Sequence, residues 1–276
     1  MPGKTRADVI LVEQGLAESR EKAQRLILAG QARLGADRIA KPSQMIDNAA
    51  VLRVDNPCPY VSRGAFKLVK ALDAFGIDPR GKTAMDVGAS TGGFTEVLLE
   101  RGVSIVYAID VGYGQLADRL RRDGRVRVME RVNARFITPD MFEPRPELAV
   151  MDVSFISIKL LLGPIFDVMG DGGRLVTLVK PQFEAGRARV GKGGIVRNAA
   201  DHADVLADVM RAVEEKGCVT RGVAYSPIKG QTGNIEFLFD IVSMTNMDLY
   251  AKITNEDLDA AVAEAHAALN RKADKV

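Results

Sequence analysis

The chain has few of the residues that build disulfide frameworks and metal sites. Its 276 residues include no tryptophan, two cysteines and two histidines. Cys58 and Cys218 are too few for a disulfide framework and cannot form a metal site by themselves, so we expect no bound metal. His202 and His266 fall in two predicted helices, and we expect both to lie on the surface and to take no part in catalysis.

Long apolar runs are also absent. No stretch approaches the length of a membrane span, and Met1 is not followed by the charged and then apolar segments of a secretory leader. The sequence therefore predicts a cytoplasmic protein with no membrane-inserted part.

Charge is nearly balanced overall but unevenly distributed. The net charge of +2 argues neither for nor against nucleic acid as a partner. Seven arginines lie within Arg119–Arg135 and five basic residues lie within Lys180–Arg197. Each cluster fits either a phosphate-binding surface or a solvated face. The glycine-rich stretch Pro181–Asn198 is predicted to be a structureless loop, which is either a mobile basic lid or a passive surface loop.

Strand and helix patterns alternate along most of the chain, and 47% of the residues are apolar, enough for a sizeable core. The last two strands are joined by a stretch with no room for a helix. We therefore expect an α/β fold, a Rossmann-like and mostly parallel sheet with an antiparallel terminal hairpin. Ser62 is predicted to cap the first helix of this domain. Strands are predicted at about 83–87, 104–109, 126–129, 148–152, 174–180, 219–225 and 234–241.

A small module precedes this domain. Two short helices and several short β segments are predicted within residues 5–54, with Ser19 as the N-cap of the second helix. Arg20, Lys22 and Arg25 would project from the side of that helix opposite its apolar face. The predicted organisation is an α+β domain over 1–55, a linker over 56–60, the sheet domain over 61–245 and a helical tail over 246–276.

The stretch from residue 84 to residue 110 is typical of a βαβ nucleotide-binding unit. An apolar strand enters a glycine-rich turn, a helix follows, and the next strand ends in Asp110, which is placed to accept hydrogen bonds from ribose hydroxyls. A dinucleotide fingerprint needs glycine where this chain has Ser90, and the charge of Asp86 at the mouth of the turn would repel a phosphate. S-adenosyl-L-methionine has no phosphate, so the sequence favours that cofactor over NAD.

Four charged residues stand at the ends of predicted strands or on the helix before the cofactor strand: Lys67, Asp152, Lys180 and Glu236. Their convergence on one pocket suits the deprotonation of an alcohol, because a lysine can act as the base when its surroundings favour the neutral amine. We predict Lys180 as the base and Lys67 as the group that positions the hydroxyl. The two carboxylates would orient the lysines and balance their charge.

Other methyl acceptors fit less well. Enzymes that methylate an exocyclic base amine usually carry Asp/Asn-Pro-Pro-aromatic after the fourth strand, where this chain has Asp152-Val-Ser-Phe155. Methylation of a pyrimidine ring carbon needs a cysteine nucleophile near that strand, and neither cysteine lies there. A sugar hydroxyl is therefore the expected acceptor.

These motifs together resemble the TlyA (hemolysin A) family, whose catalytic domain is similar to FtsJ-type ribose methyltransferases. Residues 5–54 are similar to the RNA-binding module of ribosomal small-subunit protein S-four. The resemblance implies that Lys67, Asp152, Lys180 and Glu236 form a catalytic tetrad, and that the substrate is a cytidine 2′-hydroxyl in the ribosomal RNA of ribosomal subunits. Two other functions are considered, a membrane-active haemolysin and an RNA-binding ribosome-assembly factor with little catalysis.

The predicted binding residues follow from the same motifs. The cofactor residues are Asp86, Gly88, Ser90, Thr91, Gly92, Gly93, Phe94, Asp110, Asn133 and Asp152. The RNA-binding residues are Arg6, Arg20, Lys22, Arg25, Lys41, Arg63, Arg187, Arg189 and Lys192.

Overall fold

The computed structural model describes residues 3–28, 30–55, 58–243 and 251–270. Within it the chain divides into two compact units, Met1–Pro59 and Tyr60–Val276. The division falls inside the stretch predicted as the linker, of which residues 56 and 57 lie outside the described residues.

The first unit packs two helices against short strands around a small apolar core that includes Ile10, Leu11 and Leu52. Lys22 N donates a hydrogen bond to Ser19 Oγ at 3.2 Å, which confirms Ser19 as the cap of the second helix. Strand β1 pairs with β4, and β2 pairs with both β3 and β5, all antiparallel. The elements are β1 Lys4–Arg6, α1 Ala7–Glu13, α2 Arg20–Leu28, β2 Ala32–Leu34, β3 Asp37–Arg38, β4 Met45–Asp47 and β5 Leu52–Val54.

The second unit is built on a seven-stranded sheet in the order β11-β12-β10-β9-β6-β7-β8. Five strands are parallel, and β12 runs antiparallel to both of its neighbours, β10 and β11. This confirms the predicted Rossmann-like sheet with its antiparallel terminal hairpin. The strands are β6 Thr83–Val87, β7 Ile105–Asp110, β8 Val126–Glu130, β9 Leu148–Met151, β10 Arg174–Val179, β11 Cys218–Tyr225 and β12 Phe237–Ser243.

Apolar side chains cover both faces of this sheet. Along β6, Ala84 belongs to one buried cluster, whereas Met85 and Val87 belong to the other. Successive strand residues point to opposite faces, so a strand covered on both sides is apolar at most of its positions. Helices provide the cover: α3 Ala65–Ala74, α4 Gly93–Glu100, α5 Asp118–Arg121, α6 Leu162–Met169, α7 Pro181–Glu184, α8 Ala199–Glu215 and α9 Asn255–Leu269.

Helix α3 does not begin as predicted. It starts at Ala65, with Gly64 at the N-cap position and no side-chain cap. Ser62 is three residues from the first helical residue. A Cβ atom added to Gly93 would lie only 2.2 Å from Ser62 Oγ. The Ser62 side chain therefore packs against the start of α4, and its backbone oxygen accepts from Ala65 N at 3.2 Å.

The prediction of a structureless loop over 181–198 is wrong. Helix α7 begins at Pro181, a short 3-10 helix covers Arg187–Arg189, and Gly191 pairs with Ile195 in an isolated bridge. The fully buried amide of Asn234 fastens the rest, because its Oδ1 accepts from Val196 N at 3.0 Å and its Nδ2 donates to Gly194 O at 2.8 Å. Glycine content predicted a loop, but these long-range contacts order the segment.

The C-terminal helix is part of the core of the second unit rather than a separate tail. Leu258, Val262 and Ala265 of α9 are buried in one of its apolar clusters. The predicted tail began at residue 246, and residues 244–250 and 271–276 lie outside the described residues. The apolar face of α9 is narrow and consists mostly of small side chains among charged residues, so the sequence pattern did not predict that this helix packs on the second unit.

His202 is fully buried, contrary to the surface position predicted for it. Its Nε2 lies 3.2 Å from Val196 O, its Nδ1 lies 2.9 Å from His266 Nε2, and Asn270 Nδ2 lies 3.1 Å from His266 Nδ1. The carbonyl oxygen can only accept and the amide nitrogen can only donate. Both imidazoles therefore carry their proton on Nε2, and the pair links α8 to α9.

Candidate active site

The turn between β6 and α4 is shaped by glycines that leave no room for a side chain. Gly88 has φ +84°, and a Cβ on it would lie 2.9 Å from Asp152 O. Gly92 has φ +96°, and a Cβ there would lie 2.3 Å from a methyl carbon of Leu120. Both residues thus need the left-handed backbone and the close approach that glycine allows. The turn is held directly against the carboxyl end of β9.

The sequence predicts Asp86 at the mouth of this turn, and that prediction is wrong. It is fully buried in β6, and its Oδ2 accepts from Thr95 Oγ1 at 2.6 Å. Burial raises the pKa of Asp86 to about 7, although the bond from Thr95 works in the opposite direction. β6 lies in the middle of a sheet covered on both faces, so its side chains point into the interior. The other oxygen, Oδ1, is buried and has no hydrogen-bond partner among the described residues.

Asp110 and Ser90 meet at the carboxyl ends of β6 and β7. Ser90 N donates to Asp110 Oδ2 at 2.8 Å, and Gly112 N donates to Asp110 Oδ1 at 2.7 Å. Ser90 has φ +49°, a left-handed backbone that is uncommon for a residue other than glycine. Thr91 is half-buried, whereas Phe94 is 5% exposed and packs in the core. Asn133 is exposed, and its side chain accepts from Arg135 N.

Lys67, Asp152, Lys180 and Glu236 form one ion-paired cluster. Lys67 Nζ lies 2.7 Å from Glu236 Oε2 and 3.2 Å from Asp152 Oδ2, and Lys180 Nζ lies 2.5 Å from Asp152 Oδ1. Helix α3 carries Lys67, and the adjacent strands β9, β10 and β12 bring in the other three. Both lysine side chains are less than 10% exposed. Two cations and two anions make the cluster neutral in total.

The two lysines differ in the number of carboxylates beside them, two at Lys67 and one at Lys180. Burial by itself lowers the pKa of Lys67, but the two carboxylates beside it outweigh burial and raise that pKa above its ordinary value. Burial likewise raises the pKa of Asp152, and the two lysines outweigh it, so the pKa is lowered. Lys180 has one carboxylate within ion-pair distance and a hydroxyl, Ser154 Oγ at 2.9 Å. Lys67 is therefore fixed as an ammonium, and Lys180 is the cation with less opposing charge.

Three residues beside the tetrad were not assigned a role from the sequence. Ser154 Oγ contacts Lys180, and Phe155 is 92% exposed at φ +65° with its ring centroid 5.3 Å from that of Phe183. Glu184 accepts hydrogen bonds from Ser157 Oγ at 2.6 Å and from Ile158 N at 2.8 Å. All three lie within four residues of Asp152 or Lys180 in the sequence, but this proximity does not by itself assign them a role.

The predicted RNA-binding residues of the first unit are brought together in part. Arg6 and Arg20 both contact the buried carboxylate of Asp8, at 2.9 and 3.3 Å. Arg25 and Lys41 are exposed, and Lys22 is half-buried. No hydrogen bond or ion pair joins Arg25 or Lys41 to Asp8 among the described residues.

In the second unit, Arg63, Arg187 and Lys192 are exposed. Arg189 lies 3.3 Å from Asp204 and 3.9 Å from Asp201, both on α8. Within Arg119–Arg135, local acids pair with three arginines: Arg119 with Glu96, Arg121 with Glu130 and Arg125 with Asp123. Part of each basic cluster is thus engaged within the protein.

Comparison with known proteins identifies the family. FtsJ-like methyltransferases match residues 60–241, and the S4 domain matches residues 5–49. The chain belongs to the FtsJ-like methyltransferase family. Over 266 residues it is 43% identical to the 16S/23S rRNA (cytidine-2′-O)-methyltransferase TlyA of Mycobacterium tuberculosis, covering 96% of this chain and 99% of that protein.

Two further relatives agree. The chain is 42% identical over 234 residues to Hemolysin A of Brachyspira hyodysenteriae, covering 84% of this chain and 98% of that protein. A solved structure from Streptococcus thermophilus has 40% identity and a TM-score of 0.78, covering 98% of each chain. These matches confirm the predicted resemblance to the TlyA family, the methyltransferase fold and the S4-type module.

Two observations concern other functions. None of the helices in the described ranges is long and apolar enough to cross a membrane. The described residues also contain no group of three or more His, Cys, Asp or Glu side chains that could hold a metal ion.

Proposed function

We propose that this methyltransferase uses S-adenosyl-L-methionine to methylate a ribose 2′-hydroxyl, that of a cytidine in ribosomal RNA. The observation that carries the proposal is the buried tetrad, in which one carboxylate is shared by two lysines of unequal surroundings. The relative from Mycobacterium tuberculosis, which matches almost the whole chain, is named for this reaction. The S4 domain match supports RNA as the partner.

The residues of the nucleotide-binding unit fit the cofactor. Asp110, half-buried at the end of β7, offers carboxylate lone pairs to ribose hydroxyls. Asp86 Oδ1 is a buried acceptor without a partner among the described residues and suits an amino group. When bound, S-adenosyl-L-methionine supplies a methyl group on a positively charged sulfur. The sequence Gly81-Lys82-Thr83 leads into β6 and does not join a strand to a helix, so it is not placed as a phosphate-binding loop. The turn after β6 carries no lysine, and this turn with its close approach of Gly88 to Asp152 fits a nucleoside without phosphates.

The tetrad then performs the proton transfer. Lys180 in its neutral form would accept the proton of the 2′-hydroxyl as that oxygen takes the methyl group that bound S-adenosyl-L-methionine would supply. Lys67 remains an ammonium and donates a hydrogen bond to the reacting oxygen, since its two carboxylates stabilise its charge. Asp152 stabilises the positive charge that Lys180 gains.

Phe155 provides a surface for the nucleobase. It is 92% exposed and lies three residues after Asp152, and its φ of +65° is uncommon for a residue other than glycine. Single-stranded RNA is commonly held by stacking its bases on such rings. An exposed aromatic ring next to buried lysines supports RNA rather than a small alcohol as the substrate.

The test is to incubate the purified protein with labelled S-adenosyl-L-methionine and, separately, unmethylated small and large ribosomal subunits, and then to map ribose methylation. We expect label on a cytidine 2′-oxygen, and its loss in Lys180→Ala with subunit binding retained. Lys216→Ala, at an exposed lysine at the end of α8, is the control. Subunit binding without methylation by the wild type would favour an assembly factor, and label in lipid or protein alone would refute the substrate.

A further inference from the structure

The Nζ atom of Lys180 has two oxygen neighbours. Asp152 Oδ1 lies at 2.5 Å and Ser154 Oγ at 2.9 Å. A neutral primary amine has two N–H bonds and one lone pair. Ser154 Oγ accepts one of these N–H bonds. Asp152 Oδ1 is an ion-pair neighbour that makes no hydrogen bond among the described residues, and its negative charge repels the lone pair, which therefore points away from both oxygens. The serine thus restricts which way Lys180 can accept a proton, a restriction that the single carboxylate does not impose.

Ser154 itself is exposed, so burial does not hold it in place. Ser154 belongs to the loop of residues 152–158. The end of this loop that follows Ser154 is hydrogen-bonded to the segment after β10. Both oxygens of Glu184 are used, Oε2 by Ser157 Oγ and Oε1 by Ile158 N. Lys180 fastens the near end of the loop through Asp152.

Glu184 does not contact the tetrad in the described interactions, and its side chain is half-buried. Lys180 and Glu184 stand at the two ends of one short segment that includes α7. A shift of α7 would therefore move both points to which the 152–158 loop is attached. The neighbouring strands β9 and β10 are parallel and place the two segments side by side.

We propose that Ser154 is a positioning residue that aims the lone pair of Lys180 at the substrate hydroxyl, and that Glu184 acts through Ser154 by fixing its loop. This inference rests on the proposed ribose methylation. Neither residue takes up or releases a proton in the step. Misaligned reacting groups slow a reaction by up to about a hundredfold without loss of binding.

The first test is the kinetics of Ser154→Ala and Ser154→Thr with ribosomal subunits. We expect kcat of Ser154→Ala to fall about ten- to a hundredfold, with the KM for subunits and for S-adenosyl-L-methionine unchanged. Ser154→Thr keeps the hydroxyl and is expected to restore most of kcat. Ser104→Ala is the matched control. Ser104 Oγ donates to Lys82 O, and Ser104 precedes the amino end of β7, whereas the tetrad residues Asp152 and Lys180 follow the carboxyl ends of their strands.

The second test is a double-mutant cycle with Glu184→Gln, whose amide nitrogen cannot accept a hydrogen bond. If Glu184 acts through Ser154, the double variant loses no more kcat than Ser154→Ala alone. Multiplying effects would overturn the role of Glu184. An unchanged kcat in Ser154→Ala, or a change in KM alone, would overturn the role of Ser154. Wild-type protein that leaves RNA unmethylated would instead refute the proposed function, so the two failures are distinct.

Discussion

Each unit of the protein contains a carboxylate that holds two cations, and the two clusters differ in burial. In the first unit Asp8 is 0% exposed and holds Arg6 and Arg20, whose side chains are 41% and 55% exposed. In the second, Asp152 is 20% exposed and holds Lys67 and Lys180, whose side chains are 9% and 8% exposed. The anion is the more buried partner in one cluster and the more exposed partner in the other.

The difference fits the proposed division between RNA binding in the first unit and proton transfer in the second. An arginine keeps its proton at any pH the protein meets, and its planar head suits phosphate oxygens, so two half-exposed arginines on a buried acid form a fixed positive surface. A buried lysine can exist as an amine, so two such lysines can divide the roles of base and hydrogen-bond donor. The comparison predicts that exchanging lysine and arginine is severe in one cluster and mild in the other.

The largest effect is expected for Lys180→Arg. The variant keeps the positive charge, but arginine cannot act as a base near neutral pH, so kcat should fall about a hundred- to ten-thousandfold. The measurement is single-turnover methylation of ribosomal subunits, with subunit binding followed separately. Lys216→Arg serves as the control, and a Lys180→Arg enzyme with a nearly normal rate would show that the lysine is not the base.

Next is Asp8→Asn in the first unit. Asp8 Oδ2 accepts bonds from Arg6, Arg20 and Gln24 Nε2, and removing the charge weakens all three. Because the arginines are half-exposed, water solvates them once released, and we expect a local loss of about 2 kcal/mol. Faster hydrogen exchange in α1 and α2, with α3 and α4 unchanged, would show it. Asp37→Asn, at an exposed acid of β3, is the control, and equal exchange in both variants would contradict the prediction.

These two clusters also show what sequence predicts well. The sheet and the tetrad were predictable, because apolar strands that end in charged residues indicate both the element and the edge where those residues meet. Asp86 was misplaced although the strand over 83–87 was predicted correctly, because the sequence does not show that apolar clusters cover both faces of β6 and bury an acid there. Asp8, Ser154 and Glu184 were missed because their roles depend on hydrogen bonds between segments distant in sequence, and local pattern carries no information about those.

The third prediction compares how acid acts on the two units. Burial is the main cause that lowers the pKa of His202 to about 4, and the charge of the neighbouring His266 adds to it. In the first unit, the hydrogen bond from Arg6 holds the pKa of Asp8 well below its usual range. The neutral His202 therefore adds stability above pH 6.5 that is lost as the pH falls towards 4. The contribution of Asp8 is complete above its unfolded value of 3.8 and is lost only below it.

His202→Gln isolates this contribution, since glutamine can still donate to Val196 O. Asp201, Lys229 and the His266 ring act electrostatically on the pair, and Asn270 bonds to His266, in both proteins. We expect the stability advantage of the wild type over the variant to shrink by about 1–2 kcal/mol between pH 7 and pH 5. Denaturant unfolding at each pH measures it, and a constant difference would contradict the lowered pKa of His202 in the folded protein.

The smallest effect is expected at the exposed arginines. Arg20→Lys is the reverse substitution to Lys180→Arg, so the pair tests both clusters with the same two residue types. Arg20→Gln should lower the slope of log affinity for ribosomal subunits against log salt by about one, because one cation–phosphate contact is lost. Arg20→Lys keeps the charge and should leave the slope unchanged, with an affinity loss of only a few-fold. Glu13→Gln, at an exposed acid of α1, is the control. If Arg20→Lys weakened binding as much as Arg20→Gln, the planar head rather than the charge would be what the RNA recognises.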